Sequence, residues 1–127
     1  MVSEPKAAAV TDRAGPQHNV VLLVGRVSGE PELRVLRSGT SMLGWRLVVD
    51  RPPDRSRPVD RPGAVVDTID CVAFARGIVR LVGRWRPGDV VEIRRALRRR
   101  FWRPAGGPAS RCEVEVVEAR RLAKAPG

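Results

Sequence analysis

Apolar residues fall in five short runs, separated by stretches rich in Gly, Pro and charge. The first run is Asn19 to Val27. Val20-Val21-Leu22-Leu23-Val24 reads as a buried strand, in which Gly25 marks a bulge or a sharp bend. Leu33 to Leu36 continues it beyond the turn-like Gly29-Glu30-Pro31, and Ser38-Gly39-Thr40 supplies a hairpin turn. Met42 to Asp50 alternates cleanly, with Leu43, Trp45, Leu47 and Val49 on one face and Arg46 and Val48 on the other. Trp45 therefore belongs to the core. Val65 to Ala75 is a third strand, in which Thr68, Asp70, Val72 and Phe74 alternate with Ile69, Cys71 and Ala73. The period then changes. Ile78, Leu81, Val82 and Trp85 stand at i, i+3, i+4 and i+7, which predicts a short amphipathic helix over Gly77 to Trp85, ended by Pro87-Gly88. Val90 to Arg103 is a fourth strand. Cys112 to Ala119 is the last, with Val114 and Val116 alternating with Glu113 and Glu115.

Between these runs lie three segments of another kind. Residues 1–18, rich in Ala, Pro, Gly and charge, read as a flexible arm. Arg51 to Gly63 holds four prolines and four arginines with hardly an apolar residue, and predicts a long, basic, mobile loop. Pro104 to Ser110 is a Gly/Pro loop, and residues 123–127 form a short polar tail. The expected domain is 19–122. Five strands with one short helix between the third and the fourth is the order of an OB-fold: an all-β, five-stranded Greek-key barrel with a helix plugging one end.

Charge changes the picture most in the fourth strand. Arg94-Arg95-Ala96-Leu97-Arg98-Arg99-Arg100-Phe101-Trp102-Arg103 has six arginines in ten residues, no acid and a terminal aromatic pair. Strand alternation puts Val91, Ile93, Leu97 and Phe101 on one face, broken by Arg95 and Arg99. It puts Glu92, Arg94, Arg98, Arg100 and Trp102 on the other. A row of guanidinium groups beside an indole suits a negatively charged chain of flat bases. The whole chain of 127 residues carries a formal net charge of +10, which points to an anionic partner, nucleic acid before membrane. Of its 24 basic residues all but Lys6 and Lys124 are Arg, a bias that a GC-rich genome produces by itself. The net positive sign is not explained that way.

Other chemistry is thin. The two cysteines, Cys71 and Cys112, sit in strand-like runs and read as buried thiols. There is no CxxC, and the single histidine, His18, lies in the arm, so no metal and no cofactor is expected. No nucleophile–base set or P-loop pattern is present, and Asp67 and Asp70 point to opposite faces of their strand, so no enzyme is expected. No run reaches about 18 apolar residues, and no apolar run suits a signal peptide. Both points favour the cytoplasm and the nucleoid.

The order of motifs is similar to that of the bacterial single-stranded DNA-binding protein (SSB) family. Asn19-Val20-Val21-Leu22-Leu23-Val24-Gly25-Arg26-Val27 resembles the family's opening strand. Pro31-Glu32-Leu33-Arg34 with Ser38-Gly39-Thr40 resembles the next segment. Trp45-Arg46-Leu47-Val48-Val49, Ile69-Asp70-Cys71-Val72-Ala73-Phe74, Pro87-Gly88-Asp89-Val90-Val91-Glu92-Ile93 and Glu115-Val116-Val117 follow in register. The resemblance covers roughly residues 19–122. It implies base-stacking aromatics at Phe74 and Trp102, and basic contacts at Arg34, Arg76, Arg98 and Arg100. Thr68 stands where some members have a stacking tryptophan, and Asp50-Arg51 replaces another aromatic region. The stacking platform is therefore thinner, and affinity leans more on charge. Arg94-Arg95 stands where the family usually has a glycine. The family's Gly/Pro/Gln-rich tail with its acidic tip has no counterpart in Lys124-Ala125-Pro126-Gly127, so tail-mediated protein partners are not expected.

The reading that follows is a homo-oligomer, tetramer before dimer, that coats single-stranded DNA with little sequence preference during replication, repair or recombination. Two alternatives stay open: an accessory OB protein of primosome or RNA-binding type, and an OB barrel used as a protein-interaction adaptor.

Overall fold

A computed structural model describes residues 15–52, 65–102 and 105–126, with Trp102 described by its backbone alone. Residues 1–14 of the expected arm and 53–64 of the expected basic loop lie outside the described residues. The elements are β1 (Val21–Val35), β2 (Ser41–Asp50), β3 (Val66–Ala73), α1 (Arg76–Val82), β4 (Val90–Trp102) and β5 (Ala109–Ala123). The strands close into a barrel in the order β1-β2-β3-β5-β4. All neighbours are antiparallel except β3 and β5, which touch in parallel through Cys71 opposite Val114 and Val72 opposite Glu115. This is the expected five-stranded OB barrel, with its helix between β3 and β4.

The inward face of β2, β3, β4 and β5 is the apolar face read from the alternation. The opening run is not buried as expected: Val20, Leu22 and Val24 are exposed and Val21 and Leu23 half-buried, because one face of β1 has nothing packed on it among the described residues. Leu43, Trp45 and Leu47 of β2, Cys71 and Ala73 of β3, Val91 and Ile93 of β4, and Val114 and Val116 of β5 are buried together. From α1 and the turn after it come Val82 and Trp85, and the Trp85 ring meets Trp45 edge to face at 5.8 Å. That geometry suits the aromatic quadrupole and closes one end of the barrel.

Several expectations need correction. β1 does not end at Val27. It runs through Gly29-Glu30-Pro31 as one strand of 15 residues, with its register shifting between Ser28 and Glu32. The turn-like residues form a bulge, because β2 continues alongside and supplies ladder partners on both sides of it. Gly25 is not a bulge. Its pairing with Val91 is regular, but a Cβ there would collide with the Val48 carbonyl. β1 leaves β4 for β2 at this point, and the crossing requires the missing side chain. The helix is shorter than Gly77 to Trp85 implies, since Trp85 lies in the turn that follows, its N–H donating to the Val82 carbonyl. β5 is longer than Cys112 to Ala119 at both ends. Cys71 is buried as expected, whereas Cys112 is exposed.

That last error has a topological cause. The β4–β5 ladder runs from Val90 opposite Ala123 to Trp102 opposite Ala109, but β3 meets β5 only at Val114 and Glu115. Among the described residues, no third strand pairs with the outer half of the hairpin, Arg98–Trp102 with Ala109–Glu113. Leu97 and Phe101 share the core parity of β4, yet are 49% and 74% exposed. Asn19 holds the base of this outer half, its side chain accepting from the Leu97 N–H and donating to the Leu97 carbonyl at 2.9 and 2.7 Å.

Candidate nucleic-acid interface

The outward face of the barrel carries the polar parity of every strand. Register lines up Ala96 of β4 with Glu115 of β5, and Glu115 with Val72 of β3. Next along the same face, Arg98 stands opposite Glu113 and Arg100 opposite Arg111. The β4 register shift between Arg94 and Arg95 is absorbed by an extra residue on β5, Val117, so alternation along β4 survives it. Arg98 and Arg100 therefore share a face, as the sequence predicts. A groove of about 400 Å³ crosses this face, walled by Arg34 of β1, Met42 and Arg46 of β2, Asp70 of β3, and Arg111 and Glu113 of β5.

An aromatic–cation pair adjoins the groove at Glu113. The Arg100 guanidinium lies 4.7 Å above the Phe74 ring centroid, and its Nε donates to Glu113 Oε1. Glu113 is 3% exposed, and Arg111 Nη2 approaches its other oxygen at 3.7 Å. A carboxylate so enclosed is tolerable because two guanidinium groups face it. Three further arginines of this face are paired: Arg98 with Glu115 at 3.5 Å, Arg46 with Asp70 at 3.2 Å and Arg34 with Glu32 at 3.9 Å. The groove itself is lined by Arg34, Arg46 and Arg111 against Glu30, Glu32, Asp70 and Glu113, so it carries no net positive formal charge. Cys71 lies beneath. Burial, with help from the Asp70 charge, pushes its thiol up to about 12, so it stays protonated and inert.

The six residues singled out from the sequence do not form one cluster. Phe74 and Arg100 are in contact, and Arg98 stands beside them on the same strand face. Arg34 lines the groove from β1. Arg76 opens α1, two residues beyond Phe74, and is exposed. Trp102 ends β4, its backbone opposite Ala109, and its side chain lies outside the described residues. Sequence reasoning missed Arg46, Arg111, Glu113 and Glu115 as parts of this face. The alternation of Glu113 and Glu115 against Val114 and Val116 was the available signal, but only the hairpin register sets them opposite the arginines. Among the described residues, no group of three or more His, Cys, Asp or Glu side chains is arranged to hold a metal ion.

No family model matches the chain. Over 58 residues, 46% of its length, it is 38% identical to the single-stranded DNA-binding protein of Fusobacterium nucleatum subsp. nucleatum. The matched stretch spans about a third (36%) of that relative. Its fold is similar to that of the Plasmodium falciparum SSB solved in complex with ssDNA, with a TM-score of 0.69 and 23% identity over 84% of this chain and 96% of that one.

Proposed function

We propose that this OB barrel, whose sequence resembles and whose fold matches single-stranded DNA-binding proteins, binds single-stranded DNA with little sequence preference. The observation that carries the reading is the Phe74–Arg100–Glu113 arrangement on the outward face of the barrel. A ring already stacked by a planar cation offers a site that a planar base can take over. The released guanidinium then exchanges a carboxylate for a phosphate. In this reading Phe74 and Trp102 stack bases, and Arg34, Arg76, Arg98 and Arg100 hold phosphates. Binding covers the strand during replication, repair or recombination, with no catalysis, in the cytoplasm at the nucleoid.

Assembly into a homo-oligomer is part of the proposal, tetramer before dimer. Val20, just before β1, and Leu22 and Val24 within it stand at alternate positions and are 66%, 50% and 44% exposed. Such an apolar row on a barrel wall is covered when a second copy packs on it.

The test is a titration with oligo-dT, duplex DNA and RNA of matched length at several salt concentrations, with a mass measurement in solution. Tight, salt-weakened binding of oligo-dT is expected. Equal affinity for duplex and single strand would reject base stacking and leave a generic basic surface. Tighter binding of RNA would favour the RNA-binding alternative.

A further inference from the structure

The groove carries no net positive charge, so the charge of this molecule also acts elsewhere. Among the described residues, one stretch of unpaired charge is the outer side of α1 and the turn after it. Ile78, Val79, Leu81 and Val82 turn toward the barrel, while Arg76, Arg80 and Arg84 are exposed. These three are spaced i, i+4 and i+8. At about 100° per residue the step from Arg76 to Arg80 drifts only about 40°, so these two share one face of α1 about 6 Å apart. Arg84 follows in the turn beyond the helix, its N–H donating to the Leu81 carbonyl at 3.2 Å. Arg86 follows, also exposed. The first turn holds no acidic residue, and among the described residues no carboxylate side chain pairs with any of these four guanidinium groups. Four unpaired like charges on so short an element repel one another and favour a polyanion.

We infer that Arg80 and Arg84, with Arg76, form a second phosphate-binding track, along which a DNA strand continues after it leaves the groove. The inference rests on the reading above as a single-strand binder. Chain continuity supports the direction: Arg76 comes two residues after Phe74, so the track begins where the stacking site ends. The contrast in charge supports a division of labour. The groove exchanges paired arginines and holds bases, whereas the helix presents free arginines and holds only backbone.

The experiment compares two lengths of oligo-dT, about 5 and about 16 nucleotides, within the range of site sizes of one OB-fold. The wild type is set against the double variant Arg80→Gln/Arg84→Gln. On the long strand the salt slope should fall by roughly 1.4, two contacts at about 0.7 each. Affinity for the long strand at low salt should drop about tenfold or more, while binding of the short strand stays unchanged. The unfolding midpoint should match the wild type, since both side chains are exposed. Unchanged slopes on both lengths would overturn the track. So would equal losses on both, which would mean a long-range field instead of a contact path. Tighter binding of poly-glutamate than of oligo-dT through the same two arginines would reassign the track to acidic protein. A wild type that binds neither oligonucleotide would overturn the functional reading itself, and this inference with it.

Discussion

The groove with the β4 arginines beside it, and α1 with the turn after it, present their arginines in opposite ways. In and beside the groove five guanidinium groups have carboxylates: Arg100 and Arg111 share Glu113, Arg98 has Glu115, Arg46 has Asp70 and Arg34 has Glu32. On α1 and its exit turn, Arg76, Arg80, Arg84 and Arg86 have no such partner among the described residues. The reason lies in the elements. A two-stranded ladder sets the residues of facing strands side by side, so β5 can answer β4 charge for charge. A seven-residue helix carrying no acid has only itself to answer with. Arginine count is thus a poor measure of how strongly a surface attracts phosphate. What matters is whether each charge is already spent on a neighbour.

The strongest way to break the comparison is to remove what fixes the helix exit. Asp89 is 2% exposed; it accepts from the Arg86 N–H at 2.9 Å and the Ala125 N–H at 2.7 Å, with Arg121 at 3.7 Å. The Arg86 N–H is the chief cause holding its carboxyl below the usual range. Burial opposes the shift, and the Ala125 N–H and Arg121 add to it. A depressed folded pKa stabilises the fold fully above the ordinary carboxylate value, and the gain is lost as pH falls through the folded value. Asp89→Asn should cost about 2–3 kcal/mol at neutral pH, the worth of charge-assisted hydrogen bonds. Urea unfolding at neutral and acid pH should show that difference shrinking below about pH 4. A difference that persists in acid would assign the role of Asp89 to packing.

Phe74→Ala comes next. It should weaken binding of short and long oligo-dT alike by about 1–3 kcal/mol, the range for one stacked base. The salt slope should hardly move, because no charge is lost. A loss confined to the long strand would mean that Phe74 does not stack the first bases bound.

Glu113→Gln tests the charge compensation at the groove directly. It leaves Arg100 and Arg111 facing an uncharged amide. Oligo-dT should then bind about 1 kcal/mol tighter, the scale of one charge pair near water. Its salt slope should steepen by roughly 0.7. Weaker binding would mean that Glu113 presents Arg100 to the DNA and does not compete with it.

The smallest effect sharpens the contrast most. Arg98→Ala should change the long-strand slope by clearly less than about 0.7, since Glu115 already compensates Arg98, whereas Arg80→Ala should give the full value. Equal changes would erase the distinction between the two surfaces.

Much of the barrel was legible in the sequence because period-two alternation needs no partner to be read. Leu43, Trp45 and Leu47 face the core as their parity requires, and so do Cys71 and Ala73. The helix showed through Ile78, Leu81 and Val82, though Trp85 lies beyond its end. β1 was harder, since Gly29-Glu30-Pro31 has the composition of a turn. Whether such residues turn or bulge depends on the strand beside them. Of the candidate site, the shared face of Arg98 and Arg100 followed from spacing alone. Their pairing with Glu115 and Glu113 did not, because the acids lie about 15 residues on in the chain and meet the arginines only through the β4–β5 register.

The sequence by itself determined the element order, the inward face of the alternating strands β2 to β5 and the excess of positive charge, since these are local or additive properties. Only the tertiary structure decided where that charge is free. Pairing depends on which side chains the barrel sets within a few ångströms of each other, and Coulomb attraction is strong only at that range. It also decided that Leu97, Phe101 and Cys112, which carry the pattern of core residues, stand exposed. A strand's alternation tells which face a residue is on, but burial needs another layer above that face, and among the described residues the outer half of the β4–β5 hairpin has none.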